Sequence, residues 1–386
     1  MFETSHPSPV LGYAPPAGYL DAVGGMPMPQ SAREAFHAGL DRAWADPARM
    51  HHFGRFSGAV LDQASAGIRT CLGAPDARIY WGASAAEVIT MVITSLADER
   101  VAAGVTPALV LSAVESFAVL GAAQRTGLSL TAVGVDHNGA VDAADFTEAL
   151  AQGAALACLQ AANSEVGTLQ PLTTVYPQCA AEGIPLVVDA TAGMGLAIPE
   201  NWDLLIAAGR DWGAPAGAAF VAVRPNVRWN PPLAPDRGWL GGFPNVPAAA
   251  AAAHSLAHLA QHGPAESARL FDLTATLREG LDATQGVQVL GSRDHRLPHI
   301  TTVLISGASG EELVHALGAR GIAVASGSAC TADAAQGSHV LVAMGVIPPD
   351  QAVINNLRIS LPIGCTSETL EMFISEFRSV MERITA

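Results

Sequence analysis

Leu186-Val187-Val188-Asp189-Ala190-Thr191 is a short apolar run that ends in a carboxylate. A continuous apolar run of this length, followed by small and polar residues, is typical of a buried strand in a parallel sheet. Ligand sites of open α/β sheets lie at the carboxyl ends of the strands, so the run predicts that Asp189 stands at such an edge. An aspartate here is also a common helix cap or turn residue, and both interpretations stay open.

The same pattern recurs on both sides of this segment. Short apolar runs alternate with alanine-rich amphipathic stretches, which is typical of parallel strands and the helices that cover them. The predicted strands are residues 107–111, 128–133, 155–159, 185–188, 204–207 and 219–223. Between the first and the third of these strands, residues 116–126 and 143–151 are predicted helices.

The pattern changes in the last third of the chain. Residues 248–261 predict a long helix, and its alanine run indicates close packing rather than a membrane contact. The elements predicted after it are a strand at 299–305, a helix at 310–318 and a closing helix at 367–384. We expect the domain boundary within the long helix, which gives a large domain of residues 18–255 and a small domain of residues 1–17 and 256–386.

The composition indicates a folded, acidic protein. Half of the 386 residues are hydrophobic and 14% are charged, which supports a sizeable core and argues against disorder. The formal charge is −15, and all 20 basic residues are arginine because the sequence contains no lysine. An acidic protein repels nucleic acid and acidic membrane surfaces, so we expect neither as a partner. Without lysine, no chemistry of this chain passes through a lysine Schiff base.

The cysteines, Cys71, Cys158, Cys179, Cys330 and Cys365, are odd in number and widely spaced. This spacing argues against a disulfide framework and a structural zinc site, and no other residues show metal-ligand spacing. The first residues lack the basic head and apolar core of a signal peptide, and no apolar run reaches spanning length. We therefore expect a cytoplasmic protein.

Three further segments complete the pattern: DLLIAAGRDWGAPAG at 203–217, ASGSACT at 325–331 and NLRISL at 356–361. With the opening segment, they closely resemble the cysteine desulfurases of the class V aminotransferase family, homodimeric fold type I enzymes that use pyridoxal phosphate (PLP). The resemblance covers nearly the whole chain. It implies an α/β, fold type I aminotransferase-like structure, with a mainly parallel seven-stranded sheet in the large domain and a smaller α+β C-terminal domain.

The resemblance also implies roles for individual residues. Asp189 matches the aspartate that pairs with the pyridine nitrogen, and a carboxylate there keeps the ring protonated as an electron sink. Arg358 matches the arginine that holds the substrate cysteine, and its guanidinium suits bidentate contact with a carboxylate. Cys330 matches the nucleophile that removes sulfur as a persulfide, and its thiolate is the attacking form. Asn163 is retained from a pair of asparagines near the substrate.

The match fails at the Schiff-base position. The family's Ser-x-His-Lys segment, which supplies the aldimine lysine and a serine contact to the cofactor phosphate, aligns with Ala208-Gly209-Arg210-Asp211. A carboxylate cannot form an imine with an aldehyde, so Asp211 cannot replace the lysine. Some phosphate binding can persist at Ser84, which lies at a predicted helix N-terminus, with added charge from Arg210.

Four more contacts of the family are replaced. The ring-stacking histidine falls at Ser116, and the glutamine that contacts the ring hydroxyl falls at Ala192. The threonine that reaches the phosphate of the partner subunit falls at Phe243, and the second asparagine falls at Ser164. Together these changes predict a vestigial PLP site, and we expect no cofactor.

Each retained residue has a structural alternative. Gly, Ser and Ala around Cys330 indicate a flexible exposed loop, but the loop can also be inherited with an inert thiol. Arg358 lies beside a predicted strand, where a structural salt bridge competes with ligand binding. Without a cofactor we expect Asp189 to be structural and paired with Arg210. The other cysteines are predicted core residues.

Three functions follow from these observations. The first is a PLP-independent sulfur relay through Cys330, which needs only a reachable thiolate. The second is a non-catalytic subunit that pairs with an active cysteine desulfurase or another sulfur-pathway protein. The third is an enzyme that binds PLP or another ligand without a covalent bond. The resemblance implies a homodimer, and the partners expected are an active desulfurase or a sulfur acceptor protein.

Overall fold

The computed structural model of the chain describes residues 12–232, 238–326, 337–348 and 355–385. Two sheets and ten α-helices make up the regular structure of these residues. The larger sheet comes from the first part of the chain and the smaller one from the last part. The fold is the α/β arrangement that the sequence predicts.

The larger sheet has seven strands in the order β1-β7-β6-β5-β4-β2-β3. They are β1 Arg78–Gly82, β2 Ala108–Ser112, β3 Ser129–Val133, β4 Leu156–Cys158, β5 Leu186–Asp189, β6 Leu204–Ala208 and β7 Ala219–Val223. Strands β2 to β6 are parallel, whereas β7 runs antiparallel to both β1 and β6. The six predicted strands correspond to β2 to β7 within one residue at each end.

The central strands are buried on both faces. Along β5, Leu186 and Val188 belong to one hydrophobic core and Val187 belongs to the other. Helices cover the two faces, so the strand needs an apolar side chain at every position. This explains why a continuous apolar run, rather than an alternating one, predicted β5 from the sequence.

Six helices accompany this sheet: α1 Gln30–Arg42, α2 His52–Cys71, α3 Ala85–Ala102, α4 Phe117–Arg125, α5 Ala143–Ala151 and α6 Leu172–Ala181. A short 3₁₀ turn, Gly209–Trp212, follows β6 directly. Helix α4 begins where β2 has ended, and the 3₁₀ turn begins where β6 ends. Both therefore place their first residues at the carboxyl edge of the parallel strands.

Helix α7, Val246–Asp282, has 37 residues and lies in sequence between the two sheets. All six alanines of the run 248–253 are buried, which confirms their prediction as packing residues. The prediction ended this helix at Gln261, but the helix continues through Pro264 to Asp282. Proline removes one helical hydrogen bond, but Leu270, Leu277 and Leu281 beyond it are fully buried and hold the second half in place. The domain division within this helix stays a prediction.

The smaller sheet is antiparallel, in the order β10-β11-β9-β8. Its strands are β8 Val287–Leu290, β9 Ile300–Ile305, β10 Ala325–Ser326 and β11 Asn356–Ser360, and its helices are α8 Gly310–Gly318, α9 His339–Ala343 and α10 Ser367–Thr385. The predictions for β9, α8 and α10 agree with these bounds to within one residue at each end. No helix among the described residues is long and apolar enough to cross a membrane.

The start of the chain is attached to the smaller sheet. Leu20 donates its N–H to the carbonyl of Ala323 at 2.8 Å and accepts from the N–H of Ser360 at 2.9 Å. Ala22 donates back to the carbonyl of Ser360 at 3.1 Å. This pairing brings Asp21 next to the end of β11, which carries Arg358.

Candidate functional site

The carboxyl edge of β5 and β6 gathers polar side chains that we call the carboxylate side: Asp189, Asp211, Ser116, Thr191 and Arg210. Asp189 ends β5, and both of its oxygens accept hydrogen bonds. Ser116 Oγ donates to Oδ2 at 2.9 Å, while the amide and hydroxyl of Thr191 donate to Oδ1 at 3.0 and 2.7 Å. Asp189 therefore stands at the strand end, as predicted, and is held by uncharged donors.

Asp211 lies in the 3₁₀ turn after β6 and pairs with its neighbour. Arg210 Nε is 3.2 Å from Asp211 Oδ1, and only 10% of the Asp211 side chain is exposed. Burial raises the pKa of Asp211 to about 7; Arg210 opposes this effect and the charge of Asp189 adds to it. The expected pairing of Asp189 with Arg210 is wrong, because the guanidinium reaches the adjacent carboxylate in its own turn instead.

Ser116 has two roles at this edge. It caps helix α4 by accepting from the amide of Val119 at 3.4 Å, and its hydroxyl proton goes to Asp189. Ser116 thus ties the start of α4 to the end of β5. It is a short structural link at the position where the resemblance places an aromatic ring contact.

Ser84 caps helix α3 in a reciprocal arrangement. Its hydroxyl accepts from the amide of Glu87 at 3.2 Å, and Glu87 Oε2 accepts from the amide of Ala83 at 3.0 Å. This capping box satisfies two of the amides that a bound phosphate would use. The carboxylate of Glu87 also places negative charge at this helix end, which opposes the phosphate binding expected there.

The other predicted contacts lie in apolar or exposed surroundings. Ala208 is buried at the end of β6, and Ala192 packs beside Leu297 and Ile300. Phe243 lies in the loop before α7 with 63% of its surface exposed. None of these three side chains offers a hydrogen bond to a ligand.

Arg358 is the centre of a second group, which we call the arginine corner: Arg358, Asp21, Ser164, Glu165 and His299. Arg358 NH2 donates to Asp21 Oδ1 at 3.1 Å, and NH1 is 3.4 Å from the carbonyl of Ser164. Only 5% of the Arg358 side chain is exposed, against 28% for Asp21. The salt bridge that the sequence left open as an alternative is therefore present, with Asp21 as its partner.

Two buried nitrogens of this corner have no hydrogen-bond partner among the described residues. They are Nε of Arg358 and Nδ1 of His299. Burial, with a smaller contribution from the charge of Arg358, lowers the pKa of His299 to about 3, so this ring is neutral. Arg358 is thus the cation that an anionic ligand would find here.

Asn163 shapes the turn beside the arginine corner. Its Oδ1 accepts from the amides of Glu165 and Val166 at 2.9 and 3.0 Å, and its Nδ2 donates to the carbonyl of Val114 at 3.2 Å. The residue is 2% exposed. Its hydrogen bonds go to the main chain, so the geometry does not favour the predicted contact with a substrate.

Glu165 connects this turn to helix α9, a link that sequence reasoning missed. Ser338 Oγ donates to Glu165 Oε2 at 2.8 Å, and Asn356 Nδ2 donates to Oε1 at 3.0 Å. Burial raises the pKa of Glu165 to about 7, against the opposing effects of Ser338, Arg358 and Asn356. The only sequence signal for Glu165 is its place in the segment Glu165-Val166-Gly167, directly after Asn163 and Ser164.

Glu115 is a buried carboxyl group near Asp189. Its Oε1 accepts from the amide of Gln160 at 2.8 Å, whereas Oε2 has no partner among the described residues. Burial raises the pKa of Glu115 to about 8, and the nearby charge of Asp189 acts in the same direction. His339, which begins α9, is hydrogen-bonded through Nε2 to the carbonyl of Glu115 at 3.0 Å.

Tyr19 joins the carboxylate side to the arginine corner. Its hydroxyl donates to the carbonyls of Asp21 and Gly25 at 2.8 and 2.7 Å. Burial raises the pKa of Tyr19, and the charges of Arg210 and Arg358 both act against that rise. Both guanidinium groups therefore lie close enough to this phenol to act on it, so Tyr19 lies near both groups of residues.

The predicted nucleophile, Cys330, lies outside the described residues. The four described cysteines are free; Cys158, Cys179 and Cys365 are buried and Cys71 is half-buried. Burial raises the pKa of Cys179 to about 12 and that of Cys365 to about 11, so these thiols stay protonated. Within the described ranges, no group of three or more potential metal ligands occurs.

A separate cavity of about 580 Å³ lies at the opposite edge of the larger sheet. Pro185 and Asp203, which directly precede β5 and β6, are part of its lining. It is therefore at the amino ends of the strands, away from Asp189 and Asp211.

The chain is similar to known proteins in both sequence and fold. Residues 18–373 match the profile of the family described as aminotransferase class-V. The chain is 28% identical over 379 residues to the putative cysteine desulfurase IscS 1 of Bacillus subtilis (strain 168), covering 95% of this chain and 99% of that protein. It is 30% identical over 382 residues to a cysteine desulfurase of Gluconacetobacter diazotrophicus, with 95% and 94% covered.

Solved structures share the fold. A NifS-like protein from Rickettsia africae ESF-5 superimposes with a TM-score of 0.83 over 94% of this chain and 99% of that one. The apo structure of a cysteine desulfurase from Thermococcus onnurineus NA1 gives 0.82, with 95% and 94% covered. Sequence identities of 22% and 20% accompany these values, so the likeness concerns the fold.

Proposed function

Because the chain belongs to the aminotransferase class-V family, we propose that it is a cysteine desulfurase-like protein that transfers sulfur without PLP. Cys330 receives a persulfide sulfur from an active desulfurase and passes it to an acceptor protein. One observation carries this proposal: the chain contains no lysine, and the resemblance aligns Asp211 with the family lysine.

The residues of the carboxylate side do not fit PLP. An internal aldimine requires a primary amine, and Asp211 offers a buried carboxyl group with its pKa raised to about 7. Asp189, the expected partner of the pyridine nitrogen, already accepts hydrogen bonds from Ser116 and Thr191. At Ser84, the capping box with Glu87 supplies a negative charge where a phosphate would bind. We therefore assign no step of the reaction to the cofactor.

The relay needs only thiol chemistry. The Cys330 thiolate attacks the terminal sulfur of the donor persulfide, a new S–S bond forms, and the donor cysteine leaves as a thiolate with the electrons of the broken bond. An acceptor thiolate then attacks the terminal sulfur on Cys330, which leaves as a thiolate in turn. Atoms and electrons balance in both steps without an external oxidant or reductant.

Sulfur labelling tests this function. The protein is incubated with an active cysteine desulfurase and cysteine labelled with ³⁵S, and the label is located after non-reducing digestion. We expect label on Cys330, none on a Cys330→Ser variant, and full labelling of a Cys71→Ser control, which removes the half-buried thiol instead. Equal labelling of the wild type and Cys330→Ser would refute the relay.

An absorbance titration with PLP tests the cofactor part separately. Because the chain has no lysine, the only primary amine is that of the N-terminus. We expect no aldimine absorbance band beyond that of a protein in which this amine is acetylated. A band that survives acetylation of the N-terminus would overturn the cofactor assignment.

An exposed apolar patch favours a second candidate, a non-catalytic subunit bound to a partner. The patch consists of Trp44, Met50 and Phe53, which expose 59%, 87% and 53% of their surfaces, and the rings of Trp44 and Phe53 stack with centroids 5.7 Å apart. Such patches mark interaction surfaces. The partner is a second copy of the chain, as expected for a homodimer, or an active desulfurase subunit.

Light scattering of the purified protein and copurification from native cells separate these partners. A homodimer that Phe53→Ser dissociates supports self-association. Recovery of only homodimer from native cells would exclude pairing with an active desulfurase.

A further inference from the structure

We infer that the cavity at the amino ends of β5 and β6 binds a small organic cation, whose ammonium group contacts Asp203 and whose apolar body packs against the cavity wall. This site lies at the edge of the larger sheet opposite to Asp189 and Asp211. The inference uses neither Cys330 nor the transfer of sulfur, so it goes beyond the proposed function.

The first support is the size and the wall of the cavity. Its volume of about 580 Å³ lies within the range of small-molecule sites. Much of the lining is apolar, and Ile184, Val227 and Cys179 are buried members of it. Such a wall suits the hydrocarbon part of a ligand, because burial of apolar surface stabilises the bound state.

The second support is Asp203, a lining residue with only 5% of its surface exposed. Its Oδ2 accepts from the amide of Leu186 at 2.9 Å. The contacts of Oδ1, with the hydroxyl of Tyr176 and with Nδ2 of Asn226, are long at 3.5 and 3.4 Å. Oδ1 can therefore accept a shorter hydrogen bond from a charged donor.

The third support is the lack of a cation paired with this carboxylate. Among the described residues, no arginine or histidine forms an ion pair with Asp203. Arg224 is nearby, but it donates to the carbonyls of Trp202 and Glu200, both at 2.8 Å, and its guanidinium lies 4.2 Å from the centre of the Trp202 ring. A cationic ligand would therefore supply the charge partner that the protein does not provide.

The charge of Asp203 acts on the side chains around the cavity. Burial raises the pKa of Tyr176, and the charge of Asp203 adds to that rise while Arg224 opposes it. Burial also raises the pKa of Cys179, which lines the cavity, and Asp203 again acts in the same direction. The field that disfavours a negative charge on these two side chains favours a positive charge on a ligand.

The arginines of the lining do not offer a comparable site to an anion. Arg100 already donates from Nε and NH2 to two main-chain carbonyls, at 3.0 and 2.8 Å. Arg228 Nε lies 3.5 Å from Glu99 Oε1, and 90% of the Arg228 side chain is exposed. Solvent screens an exposed guanidinium far more than the buried Asp203. The cavity therefore favours a cation over an anion.

Calorimetric titration with three ligands of similar shape tests the charge preference. Phenethylamine, phenethyl alcohol and hydrocinnamate share an aromatic body and end in an ammonium, a hydroxyl and a carboxylate group. We expect saturable binding of phenethylamine, about tenfold tighter than that of phenethyl alcohol, and no saturable binding of hydrocinnamate. Asp203→Asn keeps an oxygen for the Leu186 amide and should abolish the preference for the amine over the alcohol.

Two neighbouring alanines of α6 test the location of the site. Ala180 and Ala181 are both exposed, but only Ala180 is part of the cavity lining. Ala180→Phe fills part of the cavity and should weaken phenethylamine binding by about fivefold or more. Ala181→Phe is the matched control and should bind phenethylamine like the wild type.

Each of four results would overturn the inference. They are no saturable binding of phenethylamine to the wild type, equal affinities for phenethylamine and hydrocinnamate, an unchanged preference for the amine in Asp203→Asn, and binding to Ala180→Phe no weaker than to Ala181→Phe. If Asp203→Asn does not fold, the three ligands with the wild type and the two alanine variants decide by the same criteria.

Discussion

The carboxylate side and the arginine corner differ in how their polar groups are satisfied. On the carboxylate side, Asp189 accepts from Ser116 and Thr191, and Asp211 pairs with Arg210. None of these residues carries an unpartnered buried side-chain atom. In the arginine corner, Nε of Arg358 and Nδ1 of His299 are buried without a partner among the described residues.

This difference helps to distinguish residues that stabilise the fold from residues that can still bind a ligand. Groups that satisfy one another stabilise the fold and leave nothing for a ligand. Buried groups without partners cost free energy, and a ligand that meets them recovers part of that cost. The comparison supports our proposals that the carboxylate side is structural and that the arginine corner retains the capacity to bind an anion.

The largest expected effect on stability concerns Glu165. Glu165→Ala removes the acceptor of both Ser338 and Asn356 and leaves two buried donors unsatisfied, which should cost about 2–4 kcal/mol. Urea unfolding at pH 8 measures the loss. Glu165→Gln keeps one carbonyl acceptor and should lose about half as much. A loss below about 1 kcal/mol for Glu165→Ala would contradict the role of Glu165 as the link between the turn and α9.

The next largest expected effect is a pH dependence of the free energy of unfolding, which comes from Asp211 on the carboxylate side. The pKa of Asp211 is raised by burial to about 7, so as the pH rises from 4 the unfolded state loses this proton first, and stability falls until about pH 7. Asp211→Asn removes this loss, so its stability relative to the wild type should increase by about 1–3 kcal/mol over that range. Unfolding curves from pH 4 to pH 7.5, with Asp76→Asn as control, measure it. A constant difference between the two proteins would show that Asp211 ionises normally.

A smaller effect is expected at Ser116. Ser116→Ala removes the cap of α4 and one hydrogen bond to Asp189, which together should cost about 1–2 kcal/mol. Ser84→Ala is the matched control, because Ser84 caps α3 without a contact to Asp189 and should cost about 1 kcal/mol or less. Equal losses in urea unfolding would mean that the Ser116 bond to Asp189 adds no stability.

The smallest effect is expected at Phe243. Its ring is 63% exposed, so Phe243→Ser should change the free energy of unfolding by no more than about 0.5 kcal/mol at low protein concentration. A larger loss that grows with protein concentration would place Phe243 in an interface between copies.

The sequence predicted β2 and β4 to β7 well because these strands are buried along nearly their whole length, whereas the edge strand β3 has four exposed residues out of five. Apolar runs marked β2 to β7, whereas β1 was missed because exposed Arg78 and half-buried Tyr80 interrupt its apolar pattern. The second half of α7 was missed because Gly263-Pro264 has the composition of a helix end. Both β1 and the second half of α7 form because of tertiary packing, which local composition does not reveal.

The sequence predicted only those parts of the candidate site that depend on residues close together in the sequence. The strand end at Asp189 and the position of Asp211 could be read from neighbouring residues. The contacts of Asp21 with Arg358 and of Ser338 with Glu165 could not, because they join residues 337 and 173 positions apart. The pairing of Asp189 with Arg210 was predicted wrongly for a different reason: Arg210 pairs with the adjacent Asp211, and the direction of a guanidinium depends on the packing around it.

The pairing of residues 19–22 with β11 has a consequence for synthesis. The ribosome adds Arg358 337 residues after Asp21, so this ion pair cannot form until the segment that carries β11 has left the exit tunnel. Residues 19–22 can therefore pair with β11 only after β11 has been synthesised. A nascent or truncated chain that ends before β11 would leave residues 19–22 available to proteases and chaperones, and only a chain that includes β11 would bury their main-chain hydrogen bonds.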